Sequence, residues 1–181
     1  TIDVGNVGWV VDPAQRRINN PSDISDIYRE VMLDARTVDM VSDLIGPDVK
    51  FHHCKINLKL SGAKTEVNYH QDFTPHTNDD IVTALLFLDD IDEANGCLTV
   101  VPGSHKGPML SLFEGERFTG AVASDEEKLA LAKSLPCVGK AGAVCLMHTK
   151  LLHGSAANSS DASRGLYICV YTAADAVPIA R

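Results

Sequence analysis

A histidine and an aspartate two residues apart, His70 and Asp72 in Asn68-Tyr69-His70-Gln71-Asp72-Phe73, can act as a pair if the chain is extended there. Strand side chains alternate with period two, so an imidazole and a carboxylate at that spacing aim at a common point. A third ligand from a neighbouring strand would complete two His and one carboxylate on one face of a metal. That arrangement leaves coordination positions open and is diagnostic of non-haem Fe(II) oxygenases. Alone, His-x-Asp also occurs in surface turns, so its weight depends on whether the rest of a site is present. Leu151-Leu152-His153-Gly154-Ser155 offers a later His after two apolar residues, and Arg164 follows eleven positions on. A turn through Asn158-Ser159-Ser160-Asp161 would return Arg164 to the side of His153. A guanidinium stays charged and forms two parallel hydrogen bonds to a carboxylate, which suits a dicarboxylic co-substrate. Its plainer reading is a surface salt bridge at a strand start.

The other histidines divide by position. His53 shares a strand face with Lys55 and Asn57, opposite His52, and is a candidate for the substrate side of a pocket, as are Phe73 and His76. His76 suits a substrate entrance and a solvated loop equally. His105 reads as a hydrogen bonder in a turn and His148 as support at a strand end. Asp79-Asp80 and Asp89-Asp90-Ile91-Asp92-Glu93 read as turn and loop charges.

These groups need a frame. Ile24, Ile27, Val31, Met32 and Ala35 recur at helical steps, continued by Val38, Val41 and Leu44-Ile45, so helical cover is predicted over about 21–46, stopped by Gly46-Pro47. A second helix is predicted over Asp125–Lys133, with Ser124 and Glu127 as a capping box. Lys50–Leu60 alternates, with Phe51, His53, Lys55, Asn57 and Lys59 on one face. Ile81–Leu88, Leu98–Val101, Ala143–Met147 and Leu166–Tyr171 are further apolar runs, most of them bounded by turn residues. Short strands with helices near the N-terminus predict a mainly β fold with flanking helices, a double-sheet jelly roll. The core would span about 50–172, with 106–140 as an insertion or lid.

The 181 residues, 45% of them hydrophobic, fit one domain covering 1–181. With 24 acidic against 16 basic side chains, the net charge is −8, and no Lys/Arg block is present. That argues against a nucleic-acid partner. The five cysteines form no C-x-x-C pair and read as reduced thiols of an intracellular, cytoplasmic protein. No apolar run approaches the roughly 20 residues of a membrane span, and no signal peptide is visible. The oligomeric state is not legible.

From His70 to Arg164 the chain resembles the phytanoyl-CoA dioxygenase family, which includes ectoine hydroxylase. The resembling residues are His70-Gln71-Asp72, Leu86-Phe87-Leu88-Asp89-Asp90, Asn95-Gly96-Cys97-Leu98, Pro102-Gly103-Ser104-His105-Lys106, His153-Gly154-Ser155 and Arg164. Asn-Gly-x-Leu followed by Pro-Gly-Ser-His is the most specific part. The resemblance extends over Asp39–Tyr171 and implies a double-stranded β-helix (jelly roll, cupin-like). It implies His70, Asp72 and His153 as iron ligands and Arg164 as partner of the far carboxylate of 2-oxoglutarate. It also implies Thr83 as a hydroxyl near that same carboxylate, Asn57 as a co-substrate contact and Ser155 as a supporting residue. The family's usual N-terminal helices are short or absent here. Related halogenases carry a small residue at the Asp72 position, so the carboxylate favours hydroxylation.

The expected reaction uses Fe(II), 2-oxoglutarate and O2 to hydroxylate an aliphatic carbon of a small molecule, releasing succinate and CO2, in a cavity kept dry by Phe73, Leu85 and Phe87. Two rivals stand beside it: a zinc hydrolase on the same ligands, and a jelly-roll binding module without turnover.

Overall fold

The computed structural model describes residues 16–63, 65–72 and 76–179. Its strands are β1 (Arg17–Asn19), β2 (Val49–Lys59), β3 (Val67–His70), β4 (Ile81–Phe87), β5 (Leu98–Val100), β6 (Phe113–Glu114), β7 (Arg117–Phe118), β8 (Leu135–Cys137), β9 (Val144–His148), β10 (His153–Ser155) and β11 (Arg164–Ala173). The helices are α1 (Asp26–Met32), α2 (Ala35–Ile45) and α3 (Ser124–Leu131). A five-stranded sheet has the order β1-β2-β11-β4-β9, a four-stranded sheet the order β3-β10-β5-β8, and β6-β7 is a separate hairpin. All the pairings are antiparallel, as a jelly roll requires.

The larger sheet is covered on both faces, which explains why β11 is apolar almost throughout and buried at every position. Tyr167, Cys169 and Tyr171 pack with Cys54, Ile56, Val82 and Ala84 against Met32 and Val41 of the helices. The alternate residues Leu166 and Ile168 join Leu85, Phe87, Leu98 and Met147 between the sheets. Tyr69 and Leu152, behind the smaller sheet, pack on Leu112, Val122 and Ala130. The segment 106–140 therefore contains β6, β7, α3 and β8, and part of it is packed core.

Three local readings are corrected. The predicted helical run is broken at Leu33-Asp34, where the Asp34 side chain accepts the Arg36 amide and starts α2 afresh. The break turns the apolar stripe, so Ile24 and Ile27 are 71% and 58% exposed while Met32 and Val41 are buried. Ser124 is the first residue of α3 rather than its cap, and the Ala123 before it offers no capping side chain. In β2, His53 faces Val170 and Phe51 faces Tyr171, so His52 is the extra residue of a bulge. Phe51 consequently packs toward the helices with Cys54 and Ile56, not on the face of His53.

Candidate active site

The smaller sheet places the first two ligand candidates. His70 ends β3, His153 begins β10, and the two are direct antiparallel partners with ring centroids 4.3 Å apart. Gly154 lets the strands meet this closely: a Cβ there would lie 2.9 Å from the Val67 carbonyl oxygen. Asp72 follows two residues after His70 and is held by its backbone. Its N–H donates to the Thr149 carbonyl at 3.0 Å, and the Thr149 hydroxyl donates back to the Asp72 carbonyl at 3.2 Å. Gln71 points away and is buried. It donates to the Lys150 carbonyl at 2.8 Å and accepts the Leu110 amide at 2.7 Å, tying the His70–Asp72 segment to two loops.

Potential ligand atoms of His70, Asp72 and His153 lie within 4.8 Å of one another, with His70 Nε2 3.7 Å from Asp72 Oδ1. Each imidazole is oriented by a carbonyl two residues earlier: His70 Nδ1 meets Asn68 O at 2.9 Å and His153 Nδ1 meets Leu151 O at 2.7 Å. A carbonyl only accepts, so Nδ1 carries the proton and Nε2 keeps its lone pair for a metal. Burial, then the neighbouring His70, holds His153 below the usual imidazole range, with Asp72 acting against them. A neutral ring is the form a metal binds.

A cavity of about 450 Å³ opens between the sheets beside this cluster. At one end Arg164 is 4% exposed and donates to the carbonyls of Asn95 (3.4 Å) and Gly96. Gly96, at φ +73°, is required there, because a Cβ would lie 2.5 Å from the Ala156 carbonyl oxygen. Asn95 rigidifies the turn by exchanging hydrogen bonds with Asp92 (3.1 and 2.8 Å). Lys59 is the register partner of Arg164 and is 6% exposed. Its ammonium donates to the Ser155 hydroxyl at 2.7 Å and to the Ala156 carbonyl. Burial and then the Arg164 charge pull Lys59 down to about 8, and burial pulls Arg164 down to about 10. Among the described residues neither cation is in an ion pair, which makes this end costly without an anion.

The remaining sequence candidates separate. Asn57 lines the cavity and accepts from Arg17 Nε at 3.1 Å. His53 lines it too, pulled down to about 4 by burial and by the His52 and Lys55 charges, and so neutral. The bulge brings His52 alongside it, Nδ1 to Nδ1 at 2.6 Å. Thr83 lines the cavity with its hydroxyl buried and without a partner. Its register partner is Val170, six residues along β11 from Arg164, a separation of roughly 20 Å. Thr83 and Arg164 therefore do not reach one carboxylate, and the expectation that they share it is corrected. His76 bridges to Pro178, its ring tilted 60° to that of His52 at 5.3 Å, and it is not among the residues that line the cavity. Phe73 lies outside the described residues. Leu85 lines the cavity, whereas Phe87 sits in the core between the sheets.

The sequence profile of the phytanoyl-CoA dioxygenase (PhyH) family matches residues 6–166. The chain belongs to that family. It is 37% identical over 171 residues to a probable alpha-ketoglutarate-dependent hypophosphite dioxygenase of Stutzerimonas stutzeri, covering 91% of this chain and 59% of that protein. It is 29% identical to the ectoine dioxygenase of Sphingopyxis alaskensis, covering 91% and 60%. The S. alaskensis EctD crystal structure with bound Fe superposes with a TM-score of 0.76 at 25% identity, over 91% of this chain and 60% of that one. The chain thus spans about 60% of the length of these relatives.

Within this family frame, Lys59 is the residue that sequence reasoning undervalued, placing it only on a strand face with His53, Lys55 and Asn57. Its strand face was legible, but its cross-strand partner was not. Arg16 and Arg17 also line the cavity, and nothing in the sequence announced the three-residue strand β1.

Proposed function

We propose that this chain is an Fe(II)- and 2-oxoglutarate-dependent dioxygenase that hydroxylates an aliphatic carbon of a small molecule, with release of succinate and CO2. The observation that carries the proposal is the His70–Asp72–His153 cluster, with both Nε2 lone pairs available to a metal, beside the Lys59–Arg164 pair, which no carboxylate among the described residues neutralises. The donor set fits Fe(II), since two imidazoles and one carboxylate on one face leave positions for a chelating co-substrate and O2. The cationic end fits a carboxylate. When bound, iron and 2-oxoglutarate supply the activation of O2 and the electrons released by decarboxylation.

The protein's own part is positional. His70, Asp72 and His153 would hold the metal, and the carbonyls of Asn68 and Leu151 keep the rings aimed. Ser155 is two residues from His153 on β10, roughly 7 Å along the strand, the scale of a five-carbon dicarboxylate. Arg164, Lys59 and Ser155 would take its far carboxylate, with Asn57 on the same wall. Leu85, Leu166 and Ile168 would keep water from the reacting carbon. A zinc hydrolase gives no reason for two buried cations beside Ser155.

The cavity's size and the acidic chain support a small-molecule substrate over nucleic acid. The five free thiols support a cytoplasmic setting; among the described residues no helix is long and apolar enough to cross a membrane. Of the substrates named for relatives, ectoine offers aliphatic carbons and hypophosphite only P–H bonds; we infer that both are to be assayed, and oxidation of hypophosphite instead of ectoine would replace the carbon of this reading by phosphorus. The test is succinate formation from 2-oxoglutarate with Fe(II) and O2, compared with Zn(II). Fe(II)-dependent succinate is expected, and its absence with all candidate substrates would sink the proposal.

A further inference from the structure

The chain is acidic overall, yet the cavity beside the His70–Asp72–His153 cluster is not. Among the described residues, Arg16, Arg17, Lys55, Lys59 and Arg164 line the cavity, against the single carboxylate of Asp72. Lys59 and Arg164 belong to the deep end described above. Lys55 lies four residues back along β2, roughly 13 Å from Lys59 along the strand, on the same face. A five-carbon dicarboxylate seated on Ser155 and the metal ligands does not reach both ends.

At the outer end the strand register brings a second pair of charges together. Arg17 lies directly across from Asn57 on β2, which makes it diagonal to both Lys55 and Lys59 on one face of the antiparallel pair, and its charge acts on Lys55. Long side chains at that spacing reach one another, and like charges so placed are destabilising. The bond from Arg17 Nε to Asn57 Oδ1 holds the guanidinium over the cavity mouth. Among the described residues neither Arg17 nor Lys55 is in an ion pair. Two neutral groups that can donate share this end: the Thr83 hydroxyl, 2% exposed and without a partner, and the His53 ring. Two neighbouring cations, with an orphaned buried donor on the far side of Lys55, describe a site for an oxygen anion.

We propose that Lys55, with Arg17 on its outer side and Thr83 on its inner side, forms a second anion-recognition point, and that the molecule oxidised in this cavity is a small oxyanion. Carboxylates and phosphorus oxyanions share the chemistry, and the probes below separate them. The word "oxidised" rests on the dioxygenase reading; the anion site does not.

Burial, with Arg17 adding to it, pulls the Lys55 ammonium below its ordinary value, while Asp72 acts against them. The charges felt at Lys55 are thus those of Arg17 and Asp72, whereas Lys59 feels Arg164.

The test is titration calorimetry on protein loaded with Zn(II) and 2-oxoglutarate, using methylphosphonate, acetate and, as a neutral control, acetamide. At least one anion is expected to bind and acetamide is not; the preferred anion names the class. Lys55→Gln and Arg17→Gln should each weaken that binding at least tenfold, leave the 2-oxoglutarate Kd within threefold, and preserve the melting temperature. Lys55→Arg should restore binding to within threefold. Should Lys55→Gln fail to fold, Arg17→Gln, on an exposed edge strand, carries the test. Equal binding of acetamide, no binding of either anion, or anion affinity unchanged in both Gln variants would overturn the proposal. Failure of Fe(II)-dependent succinate formation in unmodified protein, with anion binding intact, would instead count against the dioxygenase reading.

Discussion

Tyr167, Cys169 and Tyr171 of β11 face the helices, while Arg164, Leu166, Ile168 and Val170 of the same strand face the cavity. The two faces treat polar groups in opposite ways. On the helix face the Tyr167 hydroxyl donates to the Tyr28 carbonyl at 2.8 Å and the Tyr171 hydroxyl to the Met32 carbonyl at 2.5 Å, so buried donors are paired within the chain. On the cavity face, among the described residues, the Thr83 hydroxyl has no partner, and Arg164 and Lys59 meet carbonyls and a hydroxyl but no carboxylate. A buried polar group left unsatisfied is costly. Its concentration on one face marks where a ligand completes the structure.

If that division is right, damage to the cavity face should remove function and spare the fold. The largest effect is expected from His70→Ala or Asp72→Ala. Each should reduce bound Fe(II) from one per chain to near none and abolish succinate formation, while the melting temperature of the metal-free protein stays within a few degrees. Metal analysis and thermal unfolding of the same samples check both halves. A collapse of the fold would make the ligand face part of the stability frame and break the comparison.

Arg164→Ala comes next. Removing one partner of a buried, hydrogen-bonded charge pair costs about 2–5 kcal/mol, which is roughly thirty- to several-thousand-fold in affinity. The 2-oxoglutarate Kd of Zn(II)-loaded protein should rise by that factor with metal affinity unchanged. An unchanged Kd would transfer the role to Lys59.

Lys59 supplies a pH signature. Its value is about 8 when folded against 10.5 for a free lysine. Between those values the unfolded chain holds a proton the folded lysine has lost, so the Lys59 contribution makes stability rise with pH across that window. Below about 8 both forms are protonated and the contribution is flat. The co-substrate's carboxylate needs the charged form, so 2-oxoglutarate affinity should fall as pH rises above 8, by up to about tenfold per unit. Arg164, at about 10, stays charged over most of this range. Lys59→Gln should bind more weakly with a flatter profile over pH 6.5–9.5. An unmoved slope would exclude Lys59 from the anion pocket.

That His70, Asp72 and His153 come together was legible because the signal is local: period two fixes His70 against Asp72, and the apolar residues before His153 mark a strand. The jelly roll was legible from the run of short apolar strands. The Lys59–Arg164 pairing was not, since it depends on the register of strands a hundred residues apart. One inserted residue at His52 reversed the face of Phe51, and no residue type announces such a bulge. Thr83 was placed correctly on a strand but at the wrong end of the cavity, again a matter of register. The helical stripe misled for another reason: Asp34 can cap a new helix, and that local hydrogen bond outweighed the periodicity of Ile24 and Ile27.

The smallest predicted effects test the comparison most directly, because they alter one hydroxyl on each face. Tyr171→Phe leaves the Met32 carbonyl without its donor and should cost about 1 kcal/mol, lowering the melting temperature by roughly 2–4 °C for a chain of this size, with turnover unchanged. Thr83→Val deletes a hydroxyl that has no partner to lose. It should be neutral or stabilising by up to about 1 kcal/mol, yet weaken binding of an oxyanion in the cavity. Thermal unfolding of the two variants side by side should therefore give shifts of opposite sign or, at the least, a loss in Tyr171→Phe alone. Equal losses in both would mean that the Thr83 hydroxyl is satisfied in the folded protein, and the cavity face would lose one of the features that distinguish it from the helix face.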